Sequence, residues 1–196
     1  MARKPRTIAL VWSQFTDPHV DRCNALAARL EGRARVVPIE VASTSATYAD
    51  FTSGTAGEGA SRTTLFPDRS FDEVPRWRRF IALIRAVRGC DTVYIGVPYS
   101  EIDFLVAAWL LRIMGKRVVL MCDSKFDDFP RSVVFENLKR LGLSCYSAVM
   151  VAGARGQDYF RFLGFGRRPI LVGYDTLSTD RVRRLAGLDG DGDGGA

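Results

Sequence analysis

Short apolar runs alternate with amphipathic stretches along most of this chain. The runs fall at residues 7–12 (TIALVW), 35–41, 91–97, 118–122, 148–151 and 169–172, the pattern of strands covered on both faces. Between them lie segments with helical spacing at 18–30, 75–88, 132–141 and 157–163, and one that opens at Ser100-Glu101-Ile102-Asp103 and stops at Gly115. Asp17 before Pro18 reads as an N-cap followed by a residue suited to the first helical turn, Ser100 and Asp103 form the S-x-x-D signature of a helix start, and Gly115 and Gly164 suit helix ends. Strand, helix, strand at this spacing forms a βαβ unit with a right-handed crossover and parallel pairing. The pattern predicts an α/β fold: a doubly wound, mainly parallel sheet of six or seven strands with helices on both faces.

Two stretches break the rhythm. Residues 43–64, rich in Ser, Thr, Gly and Ala, are long for a loop in a compact domain and are either mobile or functional; residues 63–66 could add a short strand before Pro67. The helix at 75–88 carries Trp77, Phe80, Ile81, Ile84 and Val87 at helical spacing, with Arg76, Arg79, Arg85 and Arg88 on its other faces. It reads as a core-packed helix with a solvated basic face or as a membrane-surface helix.

Composition narrows the class. A chain of 196 residues that is 47% hydrophobic can bury one substantial core, predicting one domain over 1–178 and a disordered tail over 179–196, acidic at residues 189–194. Lys and Arg outnumber Asp and Glu by 28 to 22, which favours anionic partners, but no nucleic-acid motif is present. Cys23, Cys90, Cys122 and Cys145 form no C-x-x-C pair, and only one histidine, His19, is available to complete a metal site, so reduced, partly buried thiols are expected. The apolar run after the basic N-terminus is too short for a signal peptide, and the longest apolar stretch, 104–111, is too short to cross a bilayer. A cytoplasmic protein is expected, with peripheral contact at the inner face of the membrane as a candidate interaction.

Candidate chemistry concentrates in the loop after residues 118–122. Asp123, Ser124, Lys125, Asp127, Asp128 and Arg131 fall within nine residues, with Pro130 where a helix could begin. The loop reads either as a ligand-binding loop at the carboxyl end of a strand or as a solvated turn that caps the next helix. Parallel strands place their carboxyl ends on one edge, so Ser13, Gln14 and His19 should converge with Tyr99, Ser100 and this loop. His19 is a candidate general base in the first loop or a surface residue beside a helix start. Asp127 and Asp128 could accept hydrogen bonds from acceptor hydroxyls and Lys125 and Arg131 could meet an anionic group, or these four could pair with one another. The sequence lacks G-x-x-x-x-G-K-[ST], G-x-G-x-x-G after the first strand and G-x-S-x-G.

The segment Asp123-Ser124-Lys125-Phe126-Asp127-Asp128-Phe129-Pro130-Arg131, together with Tyr159-Phe160-Arg161-Phe162-Leu163-Gly164-Phe165 and Gly173-Tyr174-Asp175, resembles the N-terminal half of a retaining glycosyltransferase of family 4, with the GT-B architecture. The likeness is most specific over residues 91–177. It implies a Rossmann-like domain that holds the acceptor, a glycan or lipid-linked molecule, across a cleft from a second domain that holds the nucleotide sugar. Tyr174 and Asp175 then belong with the acceptor-side candidates. Such enzymes cross into the donor half at the position of Gly173-Tyr174-Asp175, and the chain ends soon after, at Ala196, so the resemblance implies a fragment or a subunit that lacks the donor site. No cofactor is expected in this chain alone, no catalytic residue can be assigned, and a donor-binding domain or subunit is the expected partner. A free-standing, non-catalytic Rossmann-like binding or scaffold module is the alternative.

Overall fold

The computed structural model describes residues 5–49, 62–128 and 130–187. Seven strands form one sheet: β1 (Arg6–Trp12), β2 (Ala34–Thr44), β3 (Thr63–Ser70), β4 (Thr92–Ile95), β5 (Arg117–Cys122), β6 (Ala148–Val151) and β7 (Ile170–Val172). Their order is β3-β2-β1-β4-β5-β6-β7, and every pairing is parallel. The helices are α1 (Asp17–Arg29), α2 (Arg76–Val87), α3 (Ile102–Ile113), α4 (Val133–Gly142), α5 (Ala154–Phe160) and α6 (Thr179–Leu185). The doubly wound α/β fold read from the sequence is the fold observed.

Strand order reverses between β1 and β4, and that reversal sets the layers. The chain moves one way from β1 to β3 and the other way from β4 to β7, so right-handed crossovers put α1 on one face and α3, α4 and α5 on the other. On the second face Leu83 and Val87 of α2, Phe104 and Leu111 of α3, and Tyr159 and Phe160 of α5 pack on Ile95, Leu120 and Val149. On the first face a smaller cluster joins Leu10, Trp12, Phe15, Cys23, Met121 and Tyr174. Burying such side chains stabilises by roughly 1.5–3 kcal/mol each. The cysteines are all free and buried.

Prolines are tolerated where a sheet neighbour is missing. Pro38 lies within β2, but β3 begins pairing only at the next residue, Ile39. Pro67 falls in the register break between the Ala42–Phe66 and Thr44–Ser70 pairs of the edge strand β3, so its missing N–H interrupts nothing. The strand expected at 63–66 thus continues past Pro67.

Several boundaries differ from expectation for local reasons. Thr16, not Asp17, caps α1, in a capping box in which His19 Nδ1 accepts from the Thr16 N–H at 3.0 Å. Glu101 rather than Ser100 precedes α3, whereas α4 begins after Ser132, close to the start read from the sequence. After α5 the helix widens into a π-type turn over Arg161–Phe165, with Gly164 at φ 89°. Where a tail was expected from residue 179, α6 packs beside α1 through Arg181, which contacts Asp17 at 2.9 Å and Asp21 at 2.8 Å. Residues 188–196, and 50–61 of the long loop, lie outside the described residues. Among the described residues no helix is long and apolar enough to cross a membrane.

The reading of α2 also needs correcting. Arg79, placed with the arginines of its outer faces, is buried between Glu101 and Asp103. A cation that finds two carboxylates can be buried, because pairing offsets its desolvation.

Candidate functional site

A cleft of about 650 Å³ opens at the carboxyl edge of the sheet, over the point where strand order reverses. This is where open α/β sheets bind ligands, and the volume suits a small molecule. The loop after β1 contributes Ser13 and Thr16, α1 contributes His19 and Arg22, and the loop after β2 contributes Tyr48. From β4 and its loop come Gly96, Tyr99 and Ser100; from β5 and its loop come Cys122, Asp123 and Ser124. Lys139 of α4 and Tyr174 and Asp175 after β7 complete the wall.

The floor is built from rings. Trp12, at the end of β1, donates from its indole Nε1–H to the Tyr174 hydroxyl at 3.0 Å. The His19 ring stacks on Trp12 with centroids 4.7 Å apart and meets the edge of Tyr48 at 5.8 Å. Gly96 passes directly over the indole, where a Cβ would collide with Trp12, so the β4 turn needs glycine at that position.

His19 is neither a surface residue nor an effective base. It is buried, and its Nδ1 already accepts from Thr16. Burial first, and the Arg22 cation second, push its pKa down to about 3, against a smaller opposing effect of a hydrogen bond with the Gln14 backbone. The ring therefore remains neutral at ordinary pH and serves as floor and cap. Because the unfolded value is 6.5, the unfolded chain binds the proton first. Stability from this group is complete above that pH and is lost as pH falls from 6.5 toward 3. In NMR, the ring signals of this single histidine should not titrate from about pH 8 to about pH 5. A midpoint near 6.5 would show an open, solvated ring.

The charges of the cleft are largely compensated. Arg22 pairs with Asp175 at 3.5 Å, donates to the Thr176 carbonyl at 3.1 Å and lies 5.0 Å from the Tyr174 ring centroid. Burial raises the Asp175 pKa, Arg22 opposes the rise, and Asp123 adds to it. Lys139 donates to Glu136 at 2.8 Å and to the Tyr159 hydroxyl at 3.2 Å. Asp123 is exposed and, among the described residues, has no ion-pair partner.

Of the candidates read from sequence, Ser13, His19, Tyr99, Ser100, Asp123, Ser124, Tyr174 and Asp175 are brought together here. Gln14 is buried behind the loop rather than lining it. The other four loop residues hold one another or their surroundings. Lys125 pairs with Asp128 at 3.3 Å, and its N–H donates to Asp128 at 2.7 Å, a bond that leads the lowering of the Asp128 pKa. Asp127 is taken by Arg155. Arg131 donates to the Phe126 and Lys125 carbonyls and to the Tyr159 hydroxyl, and it contacts the buried Glu136 at 3.4 Å. These residues shape the loop and leave Asp123 and Ser124 to face the cleft.

The sequence reading missed Thr16, Arg22, Tyr48, Gly96, Cys122 and Lys139. Arg22 had a signal: it stands three residues after His19, one turn along the same helix face. Glu40, fully buried on β2, was also missed; it accepts from the Phe15 N–H at 2.7 Å and from the Thr64 hydroxyl at 3.1 Å, and Arg62 contacts it at 3.5 Å. It fixes the loop that carries Ser13 and Thr16. Among the described residues no group of three His, Cys, Asp or Glu side chains could hold a metal ion.

Comparison with family models, with curated proteins and with solved structures gives no significant match.

Proposed function

We propose that this domain is the acceptor-binding half of a retaining, nucleotide-sugar-dependent glycosyltransferase of the GT-B type, and that the cleft takes a hydroxyl-rich acceptor. The observation that carries the reading is the charge state of the cleft: both lining cations, Arg22 and Lys139, are already paired, while the Asp123 carboxylate faces the opening with no ion-pair partner among the described residues. A nucleotide pyrophosphate needs spare positive charge and backbone donors. A sugar hydroxyl needs an acceptor such as Asp123, and the Tyr48 and Tyr99 rings offer apolar faces to a sugar ring.

Retaining transfer divides into two tasks. A pyrophosphate leaving group must be held and neutralised, and an acceptor hydroxyl must be positioned beside the donor carbon. The cleft suits the second task, so a donor-binding unit, on the same polypeptide or another, supplies the first. Asp123 and Asp175 are the groups that would orient hydroxyls; His19 and Trp12 keep the floor rigid.

Titrating the protein with a panel of methyl glycosides, and separately with uridine and guanosine diphosphates, tests this reading. Glycosides should bind at about 1 mM or tighter and the nucleotides should not. Asp123→Ala should weaken glycoside binding about tenfold, the loss of one hydrogen bond to a charged group. The chain alone should release no nucleotide from nucleotide sugars. Nucleotide binding in the cleft without glycoside binding would overturn the assignment.

A further inference from the structure

The outward faces of α2, α3 and α4 differ from an ordinary solvated surface. These three helices contain only two carboxylates, Asp103 and Glu136, and both are turned inward, against Arg79 and against Arg131, Lys139 and Tyr159. Apart from Asn137 of α4, the outward residues are apolar or cationic. Helix α4 is effectively inside out: its one buried side chain is Glu136, while Phe135 is 66% and Leu138 57% exposed. On α3, Ile102, Val106, Trp109 and Ile113 follow one another at helical spacing and are all exposed. On α2, Trp77 is 61% exposed.

These features share one side of the molecule. Helices α2 and α3 pack on the same core, and α4 follows α3 on the same sheet face. The Trp109 indole donates to the Gly142 carbonyl at 3.0 Å, which joins α3 to the end of α4. Exposed Arg76, Arg78 and Arg85 on α2, Arg88 at its C-cap, Arg112 on α3 and Arg140 on α4 accompany the apolar residues, with no exposed carboxylate within any of the three helices.

We propose that this helical face docks onto an anionic lipid bilayer, with the α4 and α3 apolar residues entering the headgroup boundary and the arginines meeting the lipid phosphates. The argument rests on charge complementarity. A second copy of the chain would bring like charges together, whereas an acidic bilayer supplies a broad anionic surface above an apolar layer. The proposal does not depend on the acceptor reading, because the cleft opens at the sheet edge rather than on this face.

Co-sedimentation of the full chain with vesicles of phosphatidylcholine alone, and with 30% phosphatidylglycerol (about one anionic lipid in three), reads it out directly. Binding should be at least about tenfold tighter to the anionic vesicles and should fall as salt rises. Leu138→Asp and Phe135→Asp change exposed positions, so unfolding midpoints should hold while vesicle binding drops about tenfold; Arg85→Glu with Arg88→Glu should remove most of the preference for anionic lipid. Equal binding to both vesicles, no binding to either, or unchanged binding by the folded variants would overturn the proposal. So would a concentration-dependent dimer, abolished by Leu138→Asp, that ignores vesicles.

Discussion

Arg79→Leu is expected to destabilise the domain by about 3–5 kcal/mol, because removing one member of a buried ion pair leaves the other charged and uncompensated. Arg79 is 4% exposed. Its guanidinium donates to Glu101 at 2.6 Å, to Asp103 at 3.1 Å and to the Phe71 carbonyl at 3.3 Å, and it sits 4.0 Å from the Phe71 ring centroid. A further contact, Nε to Asp103 Oδ2 at 2.9 Å, is an ion pair not aligned as a hydrogen bond. Burial raises the Asp103 pKa, and Arg79 is the strongest influence holding it down. A raised carboxyl costs stability as pH rises through its folded value and recovers it as pH falls. Loss of Arg79 enlarges the rise, so urea unfolding should show a larger deficit at about pH 7.5 than at about pH 5. Arg79→Leu with Asp103→Leu should recover more than half of the loss. A single-variant loss below about 1 kcal/mol at both pH values would show that the pair behaves as an exposed one.

Glu40→Ala should cost about 2–4 kcal/mol, since hydrogen bonds to a charged group contribute about 1.5–3 kcal/mol and a buried donor left alone carries its desolvation penalty. The fully buried carboxylate is the acceptor for the Phe15 N–H and the Thr64 hydroxyl and faces Arg62. Its loss frees the loop that brings Ser13 and Thr16 to the cleft. Calorimetry should therefore show a midpoint lower by roughly 2–4 °C per kcal/mol. Glycoside binding should weaken even at temperatures where the variant is folded. Glu40→Gln keeps one acceptor oxygen and should lose less on both counts. Identical midpoints for Glu40→Ala and the parent would remove Glu40 from the account of how the cleft is held.

The parts of the fold that were legible in sequence are those where local pattern and tertiary environment agree. Val118 to Cys122 and Ala148 to Val151 are apolar runs buried on both faces, and both are strands. Misreadings cluster where a charged side chain finds a distant partner. Arg79 lies 24 residues from Asp103 and Glu40 lies 25 from Phe15, separations that helical or strand periodicity cannot register. Helix α4 shows the converse: its spacing marks an apolar stripe, but Glu136 decides which side turns inward because Arg131, Lys139 and Tyr159 wait there. The cleft was legible as an edge, since parallel strands deliver their following loops to one side. The roles within it were not, because whether Lys125 or Asp128 faces a ligand or its neighbour depends on side-chain direction.

The single histidine provides the most direct test of the cleft as a site for a hydroxyl-rich acceptor, because His19 lines it and no other residue contributes imidazole signals. With the untagged, isotopically labelled protein, His19 ring resonances should shift progressively on titration with the binding methyl glycosides, and far less in Asp123→Ala. Nucleoside diphosphates should leave them in place. Ring signals that respond to the diphosphates and not to any glycoside would contradict the account.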